Sequence, residues 1–171
     1  MLRKLLKAKG LSLFSLMAVE ILLFATNAYA QSSSHIAQVN VSQIAVVGVG
    51  PGAVSLNITG VGIVAGVNQM TVTDQTTTLS WGANTSTAKI SVKTSLGSPK
   101  FTLTVQAVSI TGVPSSAGIS APTVTLSTTS QDFMTGIGLK RGTCNLLYTG
   151  IALASNGTGT DSHTITFTIT N

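Results

Sequence analysis

Apolar and polar residues alternate along most of this chain. Val54, Leu56 and Ile58 alternate with Ser55, Asn57 and Thr59, and Ala88, Ile90 and Val92 alternate with Lys89, Ser91 and Lys93. Phe101, Leu103, Val105 and Ala107 alternate with Thr102, Thr104 and Gln106. Ile165, Phe167 and Ile169 alternate with Thr164, Thr166, Thr168 and Thr170. Successive side chains of a strand point to opposite faces, so each run predicts a strand with one buried face and one wet face. Looser runs predict further strands at Met70–Trp81, Thr123–Ser127, Phe133–Ile137 and Cys144–Leu153. Ile36–Val49 is a long strand candidate whose parity slips between Val41 and Ile44, the mark of a bulge or of two short strands. No segment after residue 30 carries the stripe of an amphipathic helix.

Turn residues separate these runs. Gly50-Pro51-Gly52, Gly82-Ala83-Asn84, Leu96-Gly97-Ser98-Pro99, Val113-Pro114-Ser115, Lys140-Arg141-Gly142 and Ser155-Asn156-Gly157-Thr158-Gly159 are the breaks. Their spacing suits a sandwich. The expected fold is all-β: a single Ig-like antiparallel β-sandwich of about eight to ten strands over residues 36–171, behind a flexible polar leader at 31–35.

Residues 1–30 have a different texture. Arg3, Lys4, Lys7 and Lys9 precede an apolar stretch from Leu11 to Ala25, and Ala28-Tyr29-Ala30 supplies small residues at the two positions a signal peptidase reads. This predicts a signal peptide cleaved after Ala30 and an exported protein, placed outside the cell, on its surface or in the periplasm. The apolar stretch is shorter than the roughly 20 residues a spanning helix needs, and Glu20 interrupts it. No later segment is long and apolar enough to span, so no membrane span is expected in the mature chain.

Charge adds an exclusion. Beyond the leader the cations are Lys89, Lys93, Lys100, Lys140 and Arg141, against Asp74, Asp132 and Asp161. They are scattered, whereas nucleic-acid binding calls for a dense basic stripe, so no nucleic-acid partner is expected. Thr, Ser, Gly and Val dominate the rest, a composition suited to half-buried sheets.

Chemistry-bearing residues are few. Cys144 is the only cysteine, which rules out an intramolecular disulfide; beside Leu146 and Leu147 it reads as a buried small hydrophobe. Gly48-Val49-Gly50-Pro51-Gly52 has the look of a dinucleotide loop, but a strand pattern follows it where a helix would be needed, so it reads as a strand–turn–strand corner. His35 and His163 are the only histidines, and neither has metal-ligand spacing with other donors. Asp161, Ser162 and His163 are neighbours in sequence without a nucleophile-elbow pattern, and Cys144 with His163 has no supporting motif. No catalytic, cofactor-binding or metal-binding residues are therefore assigned, and no cofactor. Trp81 and Tyr148 could stack on sugars, but Trp81 reads better as core or sheet-end packing. Four matches to the N-glycosylation pattern, at Asn40, Asn57, Asn84 and Asn156, are what a Ser/Thr-rich chain produces by chance.

The Thr-rich strands, the Leu79-Ser80-Trp81-Gly82-Ala83-Asn84 segment and the ending Thr164-Ile165-Thr166-Phe167-Thr168-Ile169-Thr170 resemble small exported bacterial β-sandwich proteins of the pilin and adhesin kind. The resemblance is one of texture and transfers no functional residue. It implies a non-catalytic structural or adhesive surface protein, such as a fibre or pilus-like subunit. The alternative is a secreted ligand- or carbohydrate-binding β-sandwich module, and a secreted enzyme ranks behind both. Residues 36–49 contain no Lys, Arg, Asp, Glu or Pro. Such a stretch either pairs within its own sandwich or mediates self-association by strand addition to the open edge of a neighbour.

Overall fold

The computed structural model describes residues 32–50, 52–60, 64–113 and 117–171. The predicted signal peptide at 1–30 lies outside the described residues. Residues 32–40 carry no regular structure, and Ile36 and Val39 are 95% and 87% exposed.

Residues 41–171 build an all-β sandwich from ten strands: β1 (Ala45–Val49), β2 (Gln69–Asp74), β3 (Thr78–Ala83), β4 (Lys89–Thr94), β5 (Thr102–Val113), β6 (Ile119–Ser120), β7 (Val124–Thr125), β8 (Gln131–Thr135), β9 (Arg141–Leu153) and β10 (Ile165–Thr170). Every pairing is antiparallel. One sheet runs β1-β3-β9-β5-β7, with β2 also on β9; the other runs β10-β4-β8-β6.

The 13-residue β9 is the spine of the first sheet. On one side, β3 pairs with its first half (Leu79 opposite Cys144) and β2 with its second (Val72 opposite Gly150). β2 and β3 are thus one strand, broken at Asp74. The Thr76 amide and hydroxyl both donate to Asp74 Oδ1, at 3.0 and 2.8 Å, a local turn that competes with the ladder. The Leu146 amide donates to the Thr77 carbonyl at 2.8 Å and keeps β9 stitched across the break. On the other side of β9, β5 bulges between Val108 and Thr111, with Ser109 at φ 53°.

The period-two reading holds in β4 and β10; in β5 Thr104, expected to face water, is buried between Thr125 of β7 and Thr149 of β9. Ile90, Val92 and Phe167 are buried, Ile165 and Ile169 half-buried, and Thr164, Thr166 and Thr168 exposed. Between the sheets lie Leu79, Trp81, Val105, Leu146 and Tyr148 from one side and Ile90, Phe133, Met134 and Phe167 from the other. Phe133 and Phe167 meet edge-on with centroids 5.2 Å apart.

Two predicted strands are corrected. Only Ala45–Val49 of the Ile36–Val49 candidate is a strand. Residues 36–44 are exposed and outside any strand, and the broken parity between Val41 and Ile44 leaves them no continuous face to bury. Val54–Ile58 keeps its alternation, with Val54, Leu56 and Ile58 half-buried, yet no backbone hydrogen bond joins 52–59 to another described residue. Its side chains found a core, and its backbone found no partner strand.

Candidate functional site

Two features of the sandwich could meet a partner: a cleft at one end, and a pair of open sheet edges.

The cleft has a volume of about 1080 Å³ and forms where residues 52–60 run beside β2, the second half of β9 and the entry to β10. Leu56, Met70, Val72, Leu103, Tyr148 and Ile165 give it apolar walls. The crossing segment packs over Gly150, where a Cβ would meet Leu56 and Val72 at 3.4 Å, ordinary contact distance. The mouth is polar, with Thr158, Asp161, Ser162 and His163.

These polar groups are tied to separate partners. Asp161 Oδ2 accepts the Phe101 amide at 2.8 Å, which pins the start of β5. His163 Nδ1 lies 3.1 Å from Thr94 Oγ1 at the end of β4. No hydrogen bond joins His163 to Asp161 or Ser162 among the described residues, so their adjacency in sequence does not become a relay. Cys144 is buried on the inner face of β9 and does not line the cleft. Burial pushes its thiol up to about 11, against a weaker opposing hydrogen bond to the Leu79 backbone, which disfavours the reactive thiolate. Tyr148 is pushed up to about 12, first by burial and then by the negative charges of Asp74 and Cys144.

Other sequence candidates take structural places. Trp81 is 4% exposed in the core. After Gly48-Val49-Gly50 the described chain from Gly52 to Thr59 forms no helix, so the dinucleotide pattern lacks the helix N-terminus that its chemistry needs. His35 is exposed in the 32–40 segment. No group of three metal-ligating residues occurs among the described residues.

The glycosylation match at Asn84 is instead a clamp that no local motif marks. Asn84 Oδ1 accepts the Ile44 amide at 2.6 Å, its Nδ2 donates to the Ser42 carbonyl at 2.7 Å, and its own amide donates to the Ile44 carbonyl at 3.0 Å. One side chain thus clamps the approach to β1.

The edges differ sharply between the two sides of the sandwich. On one side the sheets end in β6 and β7, two residues each, with Pro122 close by. Short edges and prolines are common guards against unwanted pairing. On the other side they end in β1 and β10, five and six residues long, which lie beside each other and contain no charge and no proline, and in β2, which pairs with β9 and ends on Asp74. Among the described residues β1 is hydrogen-bonded to β3 and β10 to β4, with no second neighbour. No family model, curated protein or solved structure matches this chain.

Proposed function

We propose that this is an exported, non-catalytic structural or adhesive surface protein whose copies associate by strand addition, as in a fibre. The observation that carries the reading is the unguarded pair β1 and β10, with the exposed, uncharged residues 36–44 leading into β1. An edge strand presents unpaired N–H and C=O groups that another extended segment can complete. Residues 36–44 are such a segment: Val39 and Val41 alternate with Asn40 and Ser42, and Val41 is 72% exposed. Export is supported by the residue 1–30 pattern alone.

Light scattering and negative-stain microscopy of the exported protein test this. Oligomers or fibres are expected, and Val39→Asp with Val41→Asp should dissolve them while leaving the melting temperature in place. A protein that stays monomeric at high concentration overturns the reading. The cleft favours a second reading, a secreted ligand- or carbohydrate-binding module, because Tyr148 and a polar mouth face one concave space. Saturable binding in a glycan or small-molecule screen, abolished by filling the cleft with Gly150→Leu in a variant that remains folded, would favour it.

A further inference from the structure

At the end of the first sheet, on its outer face, Val46, Gly82, Arg141 and Val113 stand opposite one another across β1, β3, β9 and β5. Gly82 leaves a shallow hollow between them: a Cβ built there would lie 3.6 Å from Val46 and 3.9 Å from Arg141. Ile44 and Leu139 extend the patch, and Lys140 borders it. Ile44, Val46, Val113 and Leu139 are 48%, 57%, 54% and 62% exposed. Leu139 is held in the left-handed region at φ 56°, with its amide donating to the Thr85 carbonyl at 3.0 Å. That conformation is unfavourable for a branched aliphatic side chain and is ordinarily left to glycine. Strain of this kind, spent on presenting a leucine to solvent, is a pointer to function.

We propose that this patch docks on an anionic lipid surface, Leu139 and its aliphatic neighbours entering the headgroup boundary while Arg141 meets the phosphates. Four exposed aliphatic side chains beside Arg141, with Lys140 at the rim donating to the Gly136 carbonyl at 2.9 Å and no Asp or Glu among the described lining residues, match that surface in both polarity and charge. The other occupants fit less well. A second copy of this chain offers little acid: among the described residues its carboxylates are those of Asp74, Asp132 and Asp161, and each already accepts a hydrogen bond, from Thr76, Lys89 and Phe101. A sugar would stack on aromatic rings, and none lines the patch. A protein partner ordinarily covers roughly 20–30 residues a side, and the patch has nine.

The test is vesicle co-sedimentation of the protein as its cells export it, comparing each variant with the wild type. Vesicles of phosphatidylglycerol mixed with phosphatidylcholine should bind it, pure phosphatidylcholine should bind it weakly, and salt should release it. Arg141→Gln should weaken binding roughly fivefold, the worth of one cation at such a surface. Leu139→Gly should weaken it roughly tenfold through lost apolar burial. Glycine suits the left-handed backbone there, so this variant keeps the fold, and its melting temperature verifies that. Binding that ignores phosphatidylglycerol, or that Leu139→Gly and Arg141→Gln leave intact, overturns the proposal. So does equal, Leu139-independent binding to soluble polyglutamate, which would mark an acidic polymer as the partner.

Discussion

Trp81 lies directly across from Gly142, on adjacent strands and on the inner face of their sheet. A Cβ at Gly142 would fall 2.5 Å from Trp81 Cζ2, 2.7 Å from the Thr111 carbonyl oxygen and 2.8 Å from Ala117 Cβ. The missing side chain is the space the indole occupies. Gly142→Ala should therefore destabilise the fold by about 2–3 kcal/mol through overpacking, read as a lowered denaturant midpoint. Unchanged stability would mean the indole does not sit there.

The Nε1 of the same indole has no acceptor among the described residues. A buried, unpaired N–H costs roughly 1–3 kcal/mol, which works against the apolar burial of the ring. Trp81→Phe discards that donor along with some ring volume. The two changes oppose each other, and chemical denaturation should find a net loss below about 1.5 kcal/mol, well short of a typical large-to-small core substitution.

Phe167 is 9% exposed and packs edge-on against Phe133, whereas Thr166 faces solvent. Phe167→Ala should cost about 3–5 kcal/mol. Thr166→Ala should stay within about 1 kcal/mol, the span of strand propensities. Equal losses at the two positions would mean that the parity of β10 is wrong.

Alkali should unfold the protein in a way that Cys144 and Tyr148 shape. Both are acids whose folded values, about 11 and about 12, lie above their ordinary 9.0 and 10.0. The folded state holds their protons longer than the unfolded state does. Their contribution to stability is full below pH 9 and is lost as pH rises through 11 and 12. Denaturant midpoints at pH 8 and pH 10.5 should show this fall, and Cys144→Ala should flatten its early part relative to its own pH 8 value.

Asn84→Ala should release the approach to β1 without unfolding the sandwich, because it removes the bonds to Ile44 and Ser42 and leaves the core intact. Hydrogen exchange should accelerate at Ile44 and through β1, and remain slow in β9. Exchange that rises everywhere would make Asn84 a global rather than a local clamp.

Much of the sandwich was legible because a half-buried strand writes its two faces directly into sequence, as β4 and β10 do. The alternation of Val54, Leu56 and Ile58 shows the limit of that signal. Periodicity reports which side faces the core, and it is silent on whether the backbone has a neighbour. The break between β2 and β3 depends on where one carboxylate, Asp74, accepts its hydrogen bonds. β6 is too short to carry a pattern at all. The cleft and the outer patch were invisible for a different reason: both are assembled from residues far apart in sequence, and nothing local marks Leu139 as a leucine in a glycine's conformation.

The spine strand has a consequence for how the molecule is born. A ribosome delivers β9 after β2, β3 and β5, all of which it must join. Until residue 153 has emerged, those three strands have no central partner, and the growing chain holds their inner faces open to whatever is nearby. Loop closure over such separations is slow. The interval before β9 arrives is thus the period of greatest exposure to misassembly, and any helper that shields the nascent chain would act on β2, β3 and β5.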